Sequence, residues 1–222
     1  MLFALGTPVA FVALVVSFLL GLTVRAVAVR VVARSLGLAD RNEGIAPRLR
    51  EDIDPFGAVG AALGGMGWGK MISVDEIPRH RGRGRAAAVF AAGPLSCIVL
   101  GEILLGVYSL IAPANFLSLI GPADVLLGLS LPVGETVLLS IAVGLLSFGL
   151  LALIPIPPLD GFGILYNAMR QPGPSMQWMR LWFEEKNVGV LILLICSLFP
   201  FGGPFLLRIV NALGLVFVRV WG

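Results

Sequence analysis

The chain has 222 residues, 58% of them hydrophobic and only 13% charged, with a formal net charge of +3 and a mean hydropathy of +0.97. That composition describes an integral membrane domain and leaves too few polar residues for a separate soluble domain. The two cysteines, Cys97 and Cys196, sit in apolar segments at no metal-ligand spacing, which argues against a disulfide framework. The opening run, MLFALGTPVAFVALVVSFLLGLTV, has no basic n-region and no small-residue cleavage site, so it is expected to stay as a span. Windows of about 20 apolar residues place this first span at 8–24, continuing as a helix to 36. Segment 56–69, FGAVGAALGGMGWG, is uncharged, too short to cross, and has glycine at six of fourteen positions. It fits a re-entrant hairpin buried against protein, where irregular backbone is tolerated at membrane depth. Further spans are predicted at 86–112, 133–154 and 188–207. A last apolar stretch, 206–218, follows the breaker PFGGP at 200–204 and reads as a bent continuation or a fifth helix. The expected fold is one all-α membrane domain over 1–222, of four to five transmembrane helices, with a Gly-rich re-entrant hairpin between the first and second spans.

The basic residues orient this domain. Of sixteen Lys and Arg, eleven lie between Arg25 and Arg85, three more (Arg170, Arg180, Lys186) follow in the 155–187 loop, and the 113–132 connection has none. By the positive-inside rule, loops 37–85 and 155–187 are cytoplasmic and the N-terminus is outside, in a multi-pass protein of the cell membrane. The run RHRGRGR, 79–85, reads as a topology signal in contact with anionic lipid of the bilayer rather than as a nucleic-acid patch.

PIPPLDGFG, 155–163, sets one carboxylate, Asp160, in a proline-braced turn after the third span, where an ionised side chain is costly unless paired. A specific order of features surrounds it. The first span continues through RAVAVRVVARSLG; IDPFG follows, then a Gly-rich stretch ending GWGK, then AAGPLS opening the second span, and PIPPLDG closes the third. This order resembles the site-2 protease family of intramembrane zinc metalloproteases in its short bacterial form, over about residues 6–170. PIPPLDG and IDPFG carry most of the resemblance.

The resemblance implies an H-E-x-x-H helix, whose two imidazoles share one helix face and converge on zinc beside a general-base glutamate, with Asp160 as the third ligand. Counting back from SLG puts Arg25, Ala26 and Val29 at those three positions. A guanidinium does not deprotonate to ligate zinc, and Ala and Val have no donor atom. The chain's single histidine, His80, lies among arginines in the 37–85 loop and reads as solvated or lipid-facing. Oxygen-only coordination by Asp160 and other acids would suit magnesium or calcium better than a zinc hydrolase. No zinc and no catalytic residue is therefore expected. Two asparagines that the family uses to hold the substrate strand correspond here to Cys97 and Ala152, and Phe162 follows Gly161 where the family often has a second glycine.

The expected function is that of a catalytically inactive homologue that binds, scaffolds or regulates another membrane protein. One alternative is an active intramembrane protease of unusual chemistry. An aspartyl mechanism would need two facing carboxylates, and Asp160 has only Glu102 as an intramembrane candidate. The other alternative is a small transporter or channel subunit, with Glu102 and Arg25 marking a polar path; Glu102 reads equally well as an interhelical hydrogen bond. In the family, the region of segment 56–69 and the strand-like KMISVDEI helps dock an extended peptide. A partner is accordingly expected around Gly57, Gly64, Gly65, Trp68 and Ile72, unless the hairpin only plugs the bundle. Without metal, Asp160 still needs a partner. Arg25 carries a permanent charge on a fork that meets a carboxylate bidentately, so an Arg25–Asp160 ion pair is expected to clasp the first and third spans. The competing arrangement has Arg25 snorkelling to the headgroups and Asp160 capping the helix that follows it.

Overall fold

Long runs of apolar residues with no polar face form helices that bury on every side, in protein or in lipid, and the three longest runs of this chain do so. The computed structural model describes residues 1–39, 44–113, 115–198 and 204–222, and the backbone but not the side chain of Leu49. The helices that build the described part are α1 (Pro8–Ser35), α2 (Pro55–Gly64), α3 (Arg83–Ser109), α4 (Val133–Ala152), α5 (Asp160–Ala168), α6 (Val188–Ser197) and α7 (Phe205–Arg219). Single-turn helices and loops join them. Helices α1, α3 and α4 are long and apolar enough to cross a membrane. At about 1.5 Å per residue, even the 20 residues of α4 reach the roughly 30 Å of a hydrocarbon core.

These three helices pack as a bundle through small residues that let backbones approach, as helices do when both protein and lipid are apolar. A Cβ at Gly144 on α4 would stand 2.1 Å from Ser17 Oγ on α1, and one at Gly149 would stand 2.6 Å from the Pro94 carbonyl on α3. The fourth span expected at 188–207 divides. Helix α6 has ten residues, about half of what a crossing needs, and α7 begins at Phe205. A hydropathy window merges two apolar helices because it does not register the break between them. Residues 200–203 of the PFGGP breaker lie outside the described residues.

The Gly-rich segment forms a helix and an extended return. Asp54 caps α2 by accepting from Phe56 N at 3.0 Å, Pro55 occupies the first helical position, and Gly65 ends the helix at φ +82°. The return pairs once, at Gly69 with Ile53, and Asp54 Oδ2 accepts from Trp68 Nε1 at 2.7 Å, closing the two arms. At the tip, Gly65 and Gly67 border a small gap that Leu14 and Ser17 of α1 and Gly144 of α4 also line. The strand expected in KMISVDEI is instead a turn. Ser73 N donates to Glu76 Oε1 at 3.2 Å and Val74 N to Glu184 Oε1 at 2.8 Å, so side chains take the donors that a sheet edge would offer.

Candidate functional site

Asp160 opens α5 immediately after the turn that contains the cis Pro157–Pro158 bond, and its side chain is buried. Arg25 lies two-thirds of the way along α1 and is also buried, 8% exposed. The two side chains meet. Arg25 Nε donates to Asp160 Oδ2 at 2.6 Å and Nη2 to Oδ1 at 2.5 Å, a bidentate fork between α1 and the start of α5. Arg25 Nη1 donates to the Lys70 carbonyl at 2.8 Å, so the hairpin's return arm joins the same node. Asp160 makes no side-chain cap for α5, whose N-cap is Leu159. Its place in the first turn still puts the carboxylate at the positive end of that helix.

Two glycines stand beside this node, Gly93 against the stem of Arg25 and Gly69 against Leu22. A Cβ at Gly93 of α3 would stand 2.5 Å from Arg25 Cγ, and one at Gly69 would stand 3.5 Å from Arg25 Nη1 and closer still to Leu22. Gly93 is the glycine of AAGPLS, and its close approach to α1 is a role that reading the motif alone did not assign. Neither did that reading find Arg30, whose Nη2 and Nη1 donate to the two carboxylate oxygens of Asp52 at 2.5 and 3.1 Å one turn further down α1. Two arginines five residues apart on α1, with Asp52 just before IDPFG and Asp160 in LDG, were the available signal.

The remaining predicted positions are distributed as follows. Ala26 and Val29 are buried on α1 and border a cavity of about 760 Å³ toward the 70–81 segment. His80 sits exposed at that cavity's edge. Cys97 is fully buried and its thiol donates to the Gly21 carbonyl at 3.5 Å, tying α3 to α1. Ala152 closes the last turn of α4 beside Arg25, Trp68 and Asp160. Gly57, Gly64, Gly65 and Trp68 are all buried within the chain. Gly57 lets α2 meet the Trp68 carbonyl and Gly64 lets it meet that of Ser197, where Cβ atoms would stand 2.0 and 2.3 Å away. These four therefore serve internal packing, and Ile72 alone of the five is partly open. Glu102 accepts from Trp221 Nε1 at 2.9 Å, so it makes a bond between α3 and the segment after α7.

Zinc does not fit this donor set. Both oxygens of Asp160 are taken by the arginine fork, and Ala26 and Val29 supply nothing. Among the described residues, no group of three or more His, Cys, Asp or Glu converges. Structural and catalytic zinc takes several N, S or O ligands at about 2.0–2.3 Å.

No family model matches the chain, and no solved structure matches it significantly. A protein of Bacillus subtilis (strain 168), named "Putative zinc metalloprotease YwhC", is 26% identical over 160 residues, which are 72% of this chain and 67% of that protein. The chain is thus a distant homologue of that protein, and three of its own helices are long and apolar enough to cross a membrane.

Proposed function

We propose that this protein is a non-catalytic, site-2-protease-like membrane protein that binds, scaffolds or regulates another membrane protein. The observation that carries the reading is the bidentate Arg25–Asp160 pair. The carboxylate that the resemblance gives to zinc is bonded by the residue standing at the first imidazole position. The guanidinium lies 2.5–2.6 Å from both oxygens, so its fixed positive charge opposes a second cation at that carboxylate. The ion pair takes over the metal's mechanical task, joining α1 to the turn after α4, without its Lewis acidity.

Within this reading, α1, α3 and α4 cross the bilayer, α6 and α7 supply one bent crossing or two, and α2 with its return arm is the re-entrant hairpin. The N-terminus is outside, and loops 37–85 and 155–187 are cytoplasmic, in the cell membrane. The partner docks on the outward face of the hairpin. Phe56, Val59 and Leu63 project there from one face of α2, with Phe56 54% exposed, and Ile72 lies on the return arm. Ala61, by contrast, is buried and offers no contact.

The test pairs cleavage with capture. The purified full chain, incubated with single-span membrane substrates, is expected to cleave none. Photo-crosslinkers at Val59 and Ile72 in native membranes are expected to capture a membrane-protein neighbour. Cleavage by wild type that disappears in Asp160→Asn sinks the non-catalytic reading, and capture from other faces only sinks the docking face.

A further inference from the structure

The 760 Å³ cavity beside α1 is within the range of small-molecule sites, roughly 300–1,000 Å³. Its floor is apolar, with Ala26, Val29 and Ala33 of α1 facing Val74 and Ile77. Its rim is cationic. Besides Arg25 and Arg30, which are bonded to Asp160 and Asp52, it carries Lys70, Arg79 and Arg81. Arg79 is held by the carbonyls of Met169 and Arg170 and lies over the Tyr166 ring, 5.2 Å from its centroid. Arg81 donates to the Gly37 carbonyl at 3.1 Å. These bonds are to neutral acceptors, so they fix the guanidinium groups without cancelling their charge. On the acidic side of the rim, Asp75 is paired with Arg180 at 3.1 Å, and Glu76, which accepts from Ser73 N, is one negative charge against the three cations Lys70, Arg79 and Arg81.

A second observation sets the cavity's height. The helix Pro174–Met179 and the π-helical turn Arg180–Glu185 expose Trp178 and Trp182, 56% and 45%, with ring centroids 6.0 Å apart. Tryptophans of this kind sit at the headgroup layer. The same segment grips the cavity wall, through Glu184 to Val74 N and Arg180 to Asp75.

We propose that this cavity binds the phosphate headgroup of an anionic membrane lipid, with the cationic rim around the phosphate and the apolar floor against the start of an acyl chain. Guanidinium forks match phosphate oxygens, and fixed cations at a membrane surface select anionic lipid over zwitterionic. The cavity lies on the helix face that carries Ala26 and Val29, so apolar residues at those positions give it a floor that metal ligands would not. Lipid binding stands apart from the question of catalysis and is measured without it.

The test uses the detergent-solubilised full chain and fluorescent phosphatidylglycerol or phosphatidylcholine in mixed micelles, with inorganic phosphate as competitor. Three proteins are compared: wild type, Lys70→Gln with Arg81→Gln, and Arg83→Gln with Arg85→Gln. The last pair removes the same charge from the run 79–85 outside the cavity. The expected result is preference for phosphatidylglycerol, a loss of about 25-fold in the cavity pair at roughly fivefold per cation, and little change in the control pair. Equal losses in both double variants, no preference between the lipids, or displacement by inorganic phosphate as effective as by unlabelled lipid would each overturn the proposal. So would tighter binding of an acidic peptide at the same residues.

Discussion

Arg25 is held by three acceptor oxygens, two on Asp160 and one on the Lys70 backbone, so a single side chain joins α1, the turn after α4 and the hairpin. Desolvating two ions is expensive, and the pair is worth its cost only while both partners are present. Arg25→Ala and Asp160→Ala are each expected to destabilise by about 3–5 kcal/mol, and the double variant by less than their sum. Thermal unfolding in one fixed detergent measures the cycle; strictly additive losses would show that the two groups act separately. Gly93→Ala tests the slot. Its Cβ would stand 2.5 Å from Arg25 Cγ, so a loss of about 1–3 kcal/mol is expected, shrinking when Arg25 is also alanine. The two ends of the ion pair were legible in the sequence, because counting from SLG and from LDG places Arg25 and Asp160 where two ligands would meet. Gly93 and the Lys70 carbonyl were not legible in this role. Close backbone approach and main-chain acceptors leave no side-chain signature until the helices are docked.

At the scale of the element, IDPFG explains the hairpin. One carboxylate, Asp54, caps α2 with one oxygen and holds Trp68 with the other, so the outgoing and returning arms are fixed by the same residue. Trp68→Phe keeps the ring and loses the charge-assisted bond, with an expected cost of about 1.5–3 kcal/mol. Gly57→Ala is expected to do worse, because its Cβ would stand 2.0 Å from the Trp68 carbonyl oxygen, a backbone atom that cannot rotate away. Limited proteolysis between Ile45 and Ile72 reads both variants, and unchanged cleavage in Gly57→Ala would mean that the arms tolerate separation. Glycine density signalled this close packing, although it was equally compatible with a partner-facing surface. Burial of Gly57, Gly64, Gly65 and Trp68 decides for packing. The three long helices were legible to within a few residues at most ends, since unbroken apolar runs admit little else. The division of 188–207 into α6 and the start of α7 was legible only in part: PFGGP marked a breaker, but hydropathy does not report where backbone bonds stop, so the span was drawn through it.

Over the whole molecule, three long apolar helices pack together, and an ion pair ties the first to the turn after the third. The proposed orientation rests on the distribution of basic residues. Cysteines introduced at Arg50 and Lys186 in a cysteine-free background are expected to react with membrane-impermeant maleimide only after the cytoplasmic face is opened, and one at Ser118 before. The reverse pattern would invert the topology. The measurement that bears most directly on the exchange of metal for ion pair is the zinc content of the purified full chain by elemental mass spectrometry. It is made on wild type, on Asp160→Asn, and on a triple variant carrying Arg25→His, Ala26→Glu and Val29→His. Zinc far below one ion per chain is expected in the first two, with uptake confined to the triple variant, where imidazoles replace the guanidinium beside Asp160. One zinc per wild-type chain, lost in Asp160→Asn, would contradict the central claim.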